Sequence, residues 1–564
     1  MSINGALQIG QSAILASQAA IQVAGNNMAN AATPGYHRQV ARLSPSRPEY
    51  IGRAGFLGTG VQLARIVRTV DTALQTRTRA AISDQNSAEI DQRFLSAIES
   101  IRNELSDQDL SSRLSAFFNS FSELANNPTD EAVRTVVIQQ GSGLATSIRE
   151  MRAEHVKVRE EIDRSLGSAI RTVDGLLDQV AEVNRQIVEA EQGGSGANSL
   201  RDRRDALVSE ISAFIPVTTV EQPNGAVDVL VGSIPVILGG ESRGINLRTE
   251  ANSDGLAVSL RVTADGTTLT PEGGQIGALF RQRADTVDPA IADLDTLAQQ
   301  LAFQVNRIHS QGQGTSGWTS VVGLNRVLDT TTNLAADATG IPFDIRNGSF
   351  ELHVTNRQTG LRTTVLVAVD PETMSLDQLA AAIGAAMPAG TGTASVTPER
   401  GLRIDAASGY ELSFSNDSSG ALAALGVNSF FGGSDASDIA VNEALATDPR
   451  LLASGRGHVA GSNQVALDIA GLENLSIDAL GGRSLRGFWQ SATTDLAVKT
   501  QSANTRAESS RLVRDSLEAQ VSATSGVSID EESINMLSYQ RQFQAAARYI
   551  STIDETLQTL LSIV

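Results

Sequence analysis

The chain has 564 residues, 41% of them hydrophobic, and a net charge of −19 from 44 Lys and Arg against 63 Asp and Glu. That length implies two to four domains, and that apolar content excludes a disordered chain. Cysteine is absent, which excludes disulfides, thiolate metal sites, Fe–S clusters and cysteine nucleophiles, while the acidity argues against a general nucleic-acid binder. Aromatics are only 4%, so long helices and turn-rich β structure are expected rather than an aromatic-filled core. No segment approaches the ~18 uninterrupted apolar residues of a membrane span. Met1 to Gln11 has neither a basic region nor a continuous apolar run, so no cleaved secretory signal is expected. Charge is polarised: residues 1–80 hold eight arginines and two acids, giving +6 and leaving −25 for the rest.

Residues 5–30 read as a helix. Leu7, Ile14, Ile21 and Met28 recur every seven residues, and Ile3, Gly10, Ser17 and Ala24 fill the alternate seam. This is a heptad pattern with close approach on one side. The helix ends at Thr33-Pro34-Gly35-Tyr36, where Pro then Gly suits the centre of a type II turn. Short extended pieces follow over 40–70. Helices are then expected from Asp71 to about Leu105, around Leu110–Leu124, from about Asp130 to Glu191, and over 198–213, with Gly193-Gly194-Ser195-Gly196 as a break. Past Pro216 come β-rich runs (Val217–Val220, Val227–Val231, Val236–Leu238, Leu256–Val262), a helix over 285–309, and a second β-rich stretch over 318–432 interrupted by a helix at 375–386. From about 437 the pattern reads as helical to the end, with a break at Gly526.

The last helix carries the cleanest signal. Met536, Phe543, Ile550, Leu557 and Val564 fall every seven residues, with Tyr539, Ala546, Ile553 and Leu560 on the other seam. The expected fold class is α+β multidomain: N- and C-terminal heptad helices form an α-helical coiled-coil or bundle stem, with β-rich modules inserted mid-chain. The expected domains are a terminal helical core (1–70 and 526–564), a long-helix bundle (71–215, 273–317 and 437–525), a β-rich segment (216–272) and an outer β-rich domain (318–436). This nesting brings both ends to one pole and the β modules to the other. The terminal helices alone bury too little to offset their ordering entropy, so they are expected to order fully only against neighbouring subunits.

Chemistry-bearing motifs are lacking. The five histidines, His37, His155, His309, His353 and His458, form no i, i+4 pair, and each reads as a surface or polar-core residue. Lys157 and Lys499 both follow valine, which excludes a Walker A loop, and there is no nucleophile elbow. Asp202 and Asp205 among Arg201, Arg203 and Arg204 read as solvated charge pairs, and Asp530-Glu531-Glu532 as acids at a helix start. No enzyme activity, cofactor or metal is expected.

Residues 26–39, NNMANAATPGYHRQ, resemble the N-terminal signature of bacterial flagellar axial proteins, and 525–561 resemble the matching C-terminal one. Three internal segments, 198–212, 273–312 and 430–454, are similar to the flagellar hook-associated protein 1 (FlgK) family. The resemblance implies a structural adapter at the hook–filament junction, extracellular, exported unfolded through the flagellar type III apparatus without a cleaved signal. Its implied partners are copies of itself in a tubular assembly, the hook protein, the next hook-associated protein, and an export chaperone at the C-terminal helix. It assigns Leu7, Ile14, Ile21 and Met28 to the N-terminal assembly helix and Thr33, Pro34, Gly35 and Tyr36 to the turn out of it. Met536, Tyr539, Phe543, Ala546, Ile550, Ile553, Leu557, Leu560 and Val564 become the C-terminal assembly and chaperone seam. Two other readings stay open: a hook- or rod-type axial subunit, and a secreted polysaccharide-binding or hydrolysing protein with convergent carboxylates in 318–432.

Overall fold

The structure, a computed structural model, describes residues 3–50, 55–102, 109–192, 196–252 and 255–563. Among them run α1 (Ile3–Ala29), α2 (Thr72–Arg102), α3 (Leu110–Asn126), α4 (Glu131–Glu191), α5 (Asn198–Phe214), α6 (Gly274–Gln282) and α7 (Asp288–His309). Then come α8 (Leu376–Ala386), α9 (Ala421–Ala424), α10 (Glu443–Thr447), α11 (Gln464–Gly471), α12 (Leu485–Ser525) and α13 (Ile529–Ile563). Small antiparallel sheets fill the spaces between, so the chain is α+β and multidomain, with helices at both ends. The expected end of α2 near Leu105, the breaker residues Gly193-Gly194-Ser195 and the seam residue Val564 lie outside the described residues.

The chain folds as two compact units, one drawn from Met1–Arg93, Ile162–Gln282 and Ser502–Val564, the other from Phe94–Glu161 and Arg283–Gln501. In the first unit, strands Gln39–Pro45 and Val61–Arg68 pair antiparallel with a register shift at Arg42/Leu43. A four-stranded meander spans Thr218–Ser242, and a three-stranded sheet has Gly255–Val262 at its centre. Its partner strand Ile245–Asn252 was not expected from sequence. The meander is pinned to α4 through Asn184, whose side chain accepts from Val227 N–H at 3.1 Å and donates to Val227 O at 2.9 Å. A buried amide that meets both groups of one strand residue leaves no polar atom orphaned.

The second unit holds one continuous apolar core. Phe117, Phe118, Phe121, Phe430 and Phe431 form its centre, with ring centroids 4.7–5.6 Å apart in edge-on and tilted geometries. Gly141 of α4 makes room for it: a Cβ there would lie 2.6 Å from Phe430 Cε1. The low aromatic average therefore conceals a local concentration, and the expectation of purely aliphatic cores is corrected here. Helix α8 begins at a capping box, Ser375 with Gln378. The expected helix after 437 is also corrected. Residues 437–484 hold short helices, the two-residue strand Ala440–Val441 and loops, because Pro449 and the positive-φ residues Gly457, Gly461, Gly481 and Gly482 interrupt the apolar pattern.

Candidate functional site

The first unit brings the two chain ends together. Helix α1 packs against α13 in antiparallel sense: Gly10 faces Ile550, Gly25 faces Met536, and Asn27 Nδ2 donates to Glu532 Oε2 at 3.0 Å. The seam that closes on α1 is the small one. Gly10, Ser17 and Ala24 are buried, together with Ala16, Ala20 and Val23. An ideal Cβ on Gly10 would sit 2.5 Å from Ile550 Cγ1, so the absence of a side chain permits the close approach. Leu7, Ile14, Ile21 and Met28 are only half-buried.

On α13 the two seams also differ. Ala546 and Ile553 are buried, and Met536, Tyr539, Phe543, Ile550 and Leu557 are half-buried. Leu560 is exposed. Extending the register from Gly10 and Ile550 sets Ile3 opposite about residue 557, so Leu560 and Leu561 lie beyond the end of α1. Ile534, Leu537 and Leu561 are 67%, 56% and 72% exposed, and Leu15 of α1 is 59% exposed. After pairing with each other, the two helices thus keep large aliphatic side chains in water.

The turn out of α1 is closed by Tyr36 N–H donating to Thr33 O at 3.2 Å, with Gly35 at φ +76°. Tyr36 then folds back. Its hydroxyl donates to Asn27 Oδ1 at 2.8 Å and accepts from Asn26 Nδ2 at 3.2 Å. Burial, with Asp202 and then Glu532 nearby, pushes the Tyr36 phenol up to about 12. Asn27 is fully buried and works on three segments, donating to Gln39 O as well as Glu532 and accepting from Gln39 N–H. Arg38 Nε donates to Glu532 Oε1 at 2.8 Å, and Arg38 N–H donates to Ser525 O at 2.9 Å.

A second part of the knot lies on α5. Asp202 Oδ1 accepts from Arg68 Nη1 at 2.7 Å and meets His37 Nδ1 at 2.7 Å. Gln75 Nε2 donates to His37 Nε2 at 2.9 Å, which leaves the Nδ1–H to donate to Asp202. Arg68 also reaches Asp205 at 2.9 Å, and Arg79 Nη2 lies 3.6 Å from Asp205. The expectation that Asp202, Asp205 and Arg204 are solvated pairs is corrected: Asp202 is 8% and Arg204 3% exposed. Glu532 is likewise not merely an acid at a helix start; it is 3% exposed and binds two segments. Sequence reading misses this knot because its partners lie as far as 505 residues apart, and the charged run RDRRD on α5 and the acids at 530–532 mark only its separate ends.

The comparisons follow the same two regions. The family described as "Flagellar hook-associated protein FlgK helical domain" matches residues 95–321, and the one described as "Flagellar basal body rod FlgEFG protein C-terminal" matches 519–563. The chain is 25% identical over 567 residues to flagellar hook-associated protein 1 of Escherichia coli (strain K12), covering 98% of both. Over nearly its whole length the chain is similar to proteins named flagellar hook-associated protein 1. A Bacillus subtilis (strain 168) relative of the same name is 27% identical over 347 residues, covering 55% of this chain and 68% of the relative. The solved structure of the flagellar hook junction protein FlgK from Burkholderia pseudomallei shares the fold, with a TM-score of 0.50 at 17% identity, covering 79% of this chain and all of that one. The matched family models and the named relatives support a structural place in the flagellum, and hence in motility. No described helix is long and apolar enough to cross a membrane.

Proposed function

We propose that this chain is the adapter between the flagellar hook and the filament. In this reading copies of the chain build a tubular junction through α1 and α13, with the hook protein on one side and the next hook-associated protein on the other. The chain reaches that place unfolded through the flagellar type III apparatus, with an export chaperone covering the C-terminal helix, and it catalyses no reaction. One observation carries the reading: α1 and α13 are already paired, yet Leu15, Ile534, Leu537, Leu560 and Leu561 stay exposed. Neighbouring subunits would cover those side chains, and Leu7, Ile14, Ile21 and Met28 would be finished in the same assembly. The relatives named hook-associated protein 1 over nearly the whole chain favour the junction over a hook- or rod-type subunit.

The test replaces Ile534, Leu537 and Leu561 together by Asp in the full chain. Secondary structure and the urea midpoint of the monomer are expected to stay, while self-association and junction assembly on hook-terminated basal bodies are lost. Deleting residues 535–564 is expected to abolish chaperone binding as well. Normal assembly by the triple variant, or unchanged chaperone affinity after the deletion, would remove the reading.

A further inference from the structure

The second unit contains a cleft that the assembly reading leaves without a role. It measures about 310 Å³ and lies among loop 313–317, strands Gly348–Asn356, Arg362–Val369 and Tyr410–Ser415, and the glycine-bearing loop 455–462. That is the lower end of the roughly 300–1,000 Å³ of small-ligand sites.

Its lining has more cationic capacity than it uses. Arg134 is 1% exposed, and its terminal nitrogens donate to Leu452 O, Pro128 O and Ser454 Oγ. Arg134 Nε has no acceptor among the described residues, a costly state for a buried cationic donor. The carboxylate facing Arg362 is Glu411. Glu411 is already engaged: its Oε2 accepts from Gly317 N–H at 3.3 Å and lies 3.8 Å from Arg357 Nε.

The loop side contributes His458, held in the left-handed region at φ +57°, where a non-glycine residue is strained. Its ring meets that of His353 edge-on at 4.6 Å, and its Nε2 lies 3.4 Å from Ser413 Oγ. His353 is occupied on both nitrogens, by Thr364 Oγ1 at 2.8 Å and Ser415 Oγ at 2.7 Å, with Glu351 Oε2 at 3.8 Å. The charged neighbour of His458 is Arg362, so no carboxylate supports its imidazolium. Burial, then Arg362 and His353, hold the imidazole down to about 4.

We propose that this cleft is an oxyanion site, taking a carboxylate- or sulfate-like group between Arg362, Arg134 and His458. An oxyanion there lies beside the buried Arg134 charge and gives Arg362 a counter-ion. It also supplies the negative charge that His458 lacks, so binding takes up a proton at the imidazole. Affinity therefore rises as pH falls toward the free His458 value, by at most about tenfold per pH unit for one coupled proton. The group has two possible sources, a free anion or an acidic side chain of a neighbouring chain.

The experiment follows the histidine ring signals of the full chain by NMR, with His458 assigned through His458→Gln. Sodium sulfate is titrated against ionic-strength-matched sodium chloride near pH 5 and near pH 7, and a capped tri-glutamyl peptide is titrated separately. Sulfate is expected to shift the His458 signal saturably, and more tightly at the lower pH. Arg362→Ala, an exposed position, is expected to weaken binding at least about tenfold with an unchanged urea midpoint. His458→Gln, followed by calorimetry, should still bind but lose the pH dependence. Saturation by sulfate assigns a free oxyanion, and saturation by the peptide alone assigns a neighbouring acidic side chain. No saturable response to either probe, or wild-type affinity in Arg362→Ala, overturns the proposal.

Discussion

The two units solve the same problem with opposite materials. The second holds eleven of the fifteen phenylalanines and both tryptophans, and its core is continuous and dry. The first closes its helix pair on Gly10, Ser17 and Ala24 and fixes its chain crossing with buried charges on Glu532, Arg68 and Asp202. An aromatic core is tolerant of direction but not of lost volume. A charged knot is the reverse: it specifies partners one by one, and each loss strands another charge. The difference suits the two tasks proposed, a self-sufficient body and an end region that meets neighbours.

Volume loss gives the strongest test of this contrast. Phe430→Ala should cost about 3–5 kcal/mol, read as a lower urea midpoint by tryptophan fluorescence, since Trp318 and Trp489 both report on the second unit. Asp202→Ala should cost about 3 kcal/mol in the first unit, by leaving the buried His37 Nδ1–H without its acceptor and Arg68 with Asp205 alone. Hydrogen exchange over 27–39 and 198–209 would reveal it while the tryptophan transition stays in place. A tryptophan midpoint that moves equally in both variants would break the comparison.

Acid should separate the units too. His155 and His309 are buried in the second unit and held down to about 4, in both cases chiefly by burial. His309 is fixed as the neutral Nδ1–H tautomer: Nδ1 donates to Asn428 O at 2.8 Å, and Nε2 accepts from Ala453 N–H at 3.0 Å. A histidine whose folded pKa lies below its unfolded value near 6.5 binds more protons when unfolded. Its contribution is intact above about 6.5, falls as pH drops through the window to about 4, and reaches on the order of 3 kcal/mol per histidine. Urea midpoints by tryptophan fluorescence across that window would measure it, and His309→Gln should flatten the profile.

Two smaller effects sharpen the picture of the ends. Gly10→Val should cost about 1–2 kcal/mol, because Ile550 is a flexible side chain that gives way only in part. Leu561→Asp should change monomer stability by less than about 0.5 kcal/mol, and sedimentation should show its effect in association alone.

The sequence made the single elements readable wherever one local rule governed them. The heptads of α1 and α13, the length of α4, the Pro34-Gly35 turn and the hairpin punctuation all rest on near-neighbour physics. Residues 437–484 misled because apolar spacing persists there while glycines at positive φ break the helix. The aromatic cluster joins α3 to residues 430–431, and the knot joins α1, α5 and α13. Beyond the charged run on α5, neither leaves a local trace, since each depends on which distant segments the fold brings together. For α1 the heptad offered two seams, and the helix pair closes on the small one.

The contact between Asn27 and Glu532 spans 505 residues. Joining two points that far apart on a flexible chain costs about 5–6 kcal/mol in closure entropy, and folding of the intervening units lowers that cost before the ends meet. The end-to-end pairing therefore needs residues from both α1 and α13 and gains from the folded segments between them. A shortened product, however well its body folds, has no α13 for α1 to pair with. A chain cut short of α13 would leave the small seam of α1, Gly10, Ser17 and Ala24, without its cover.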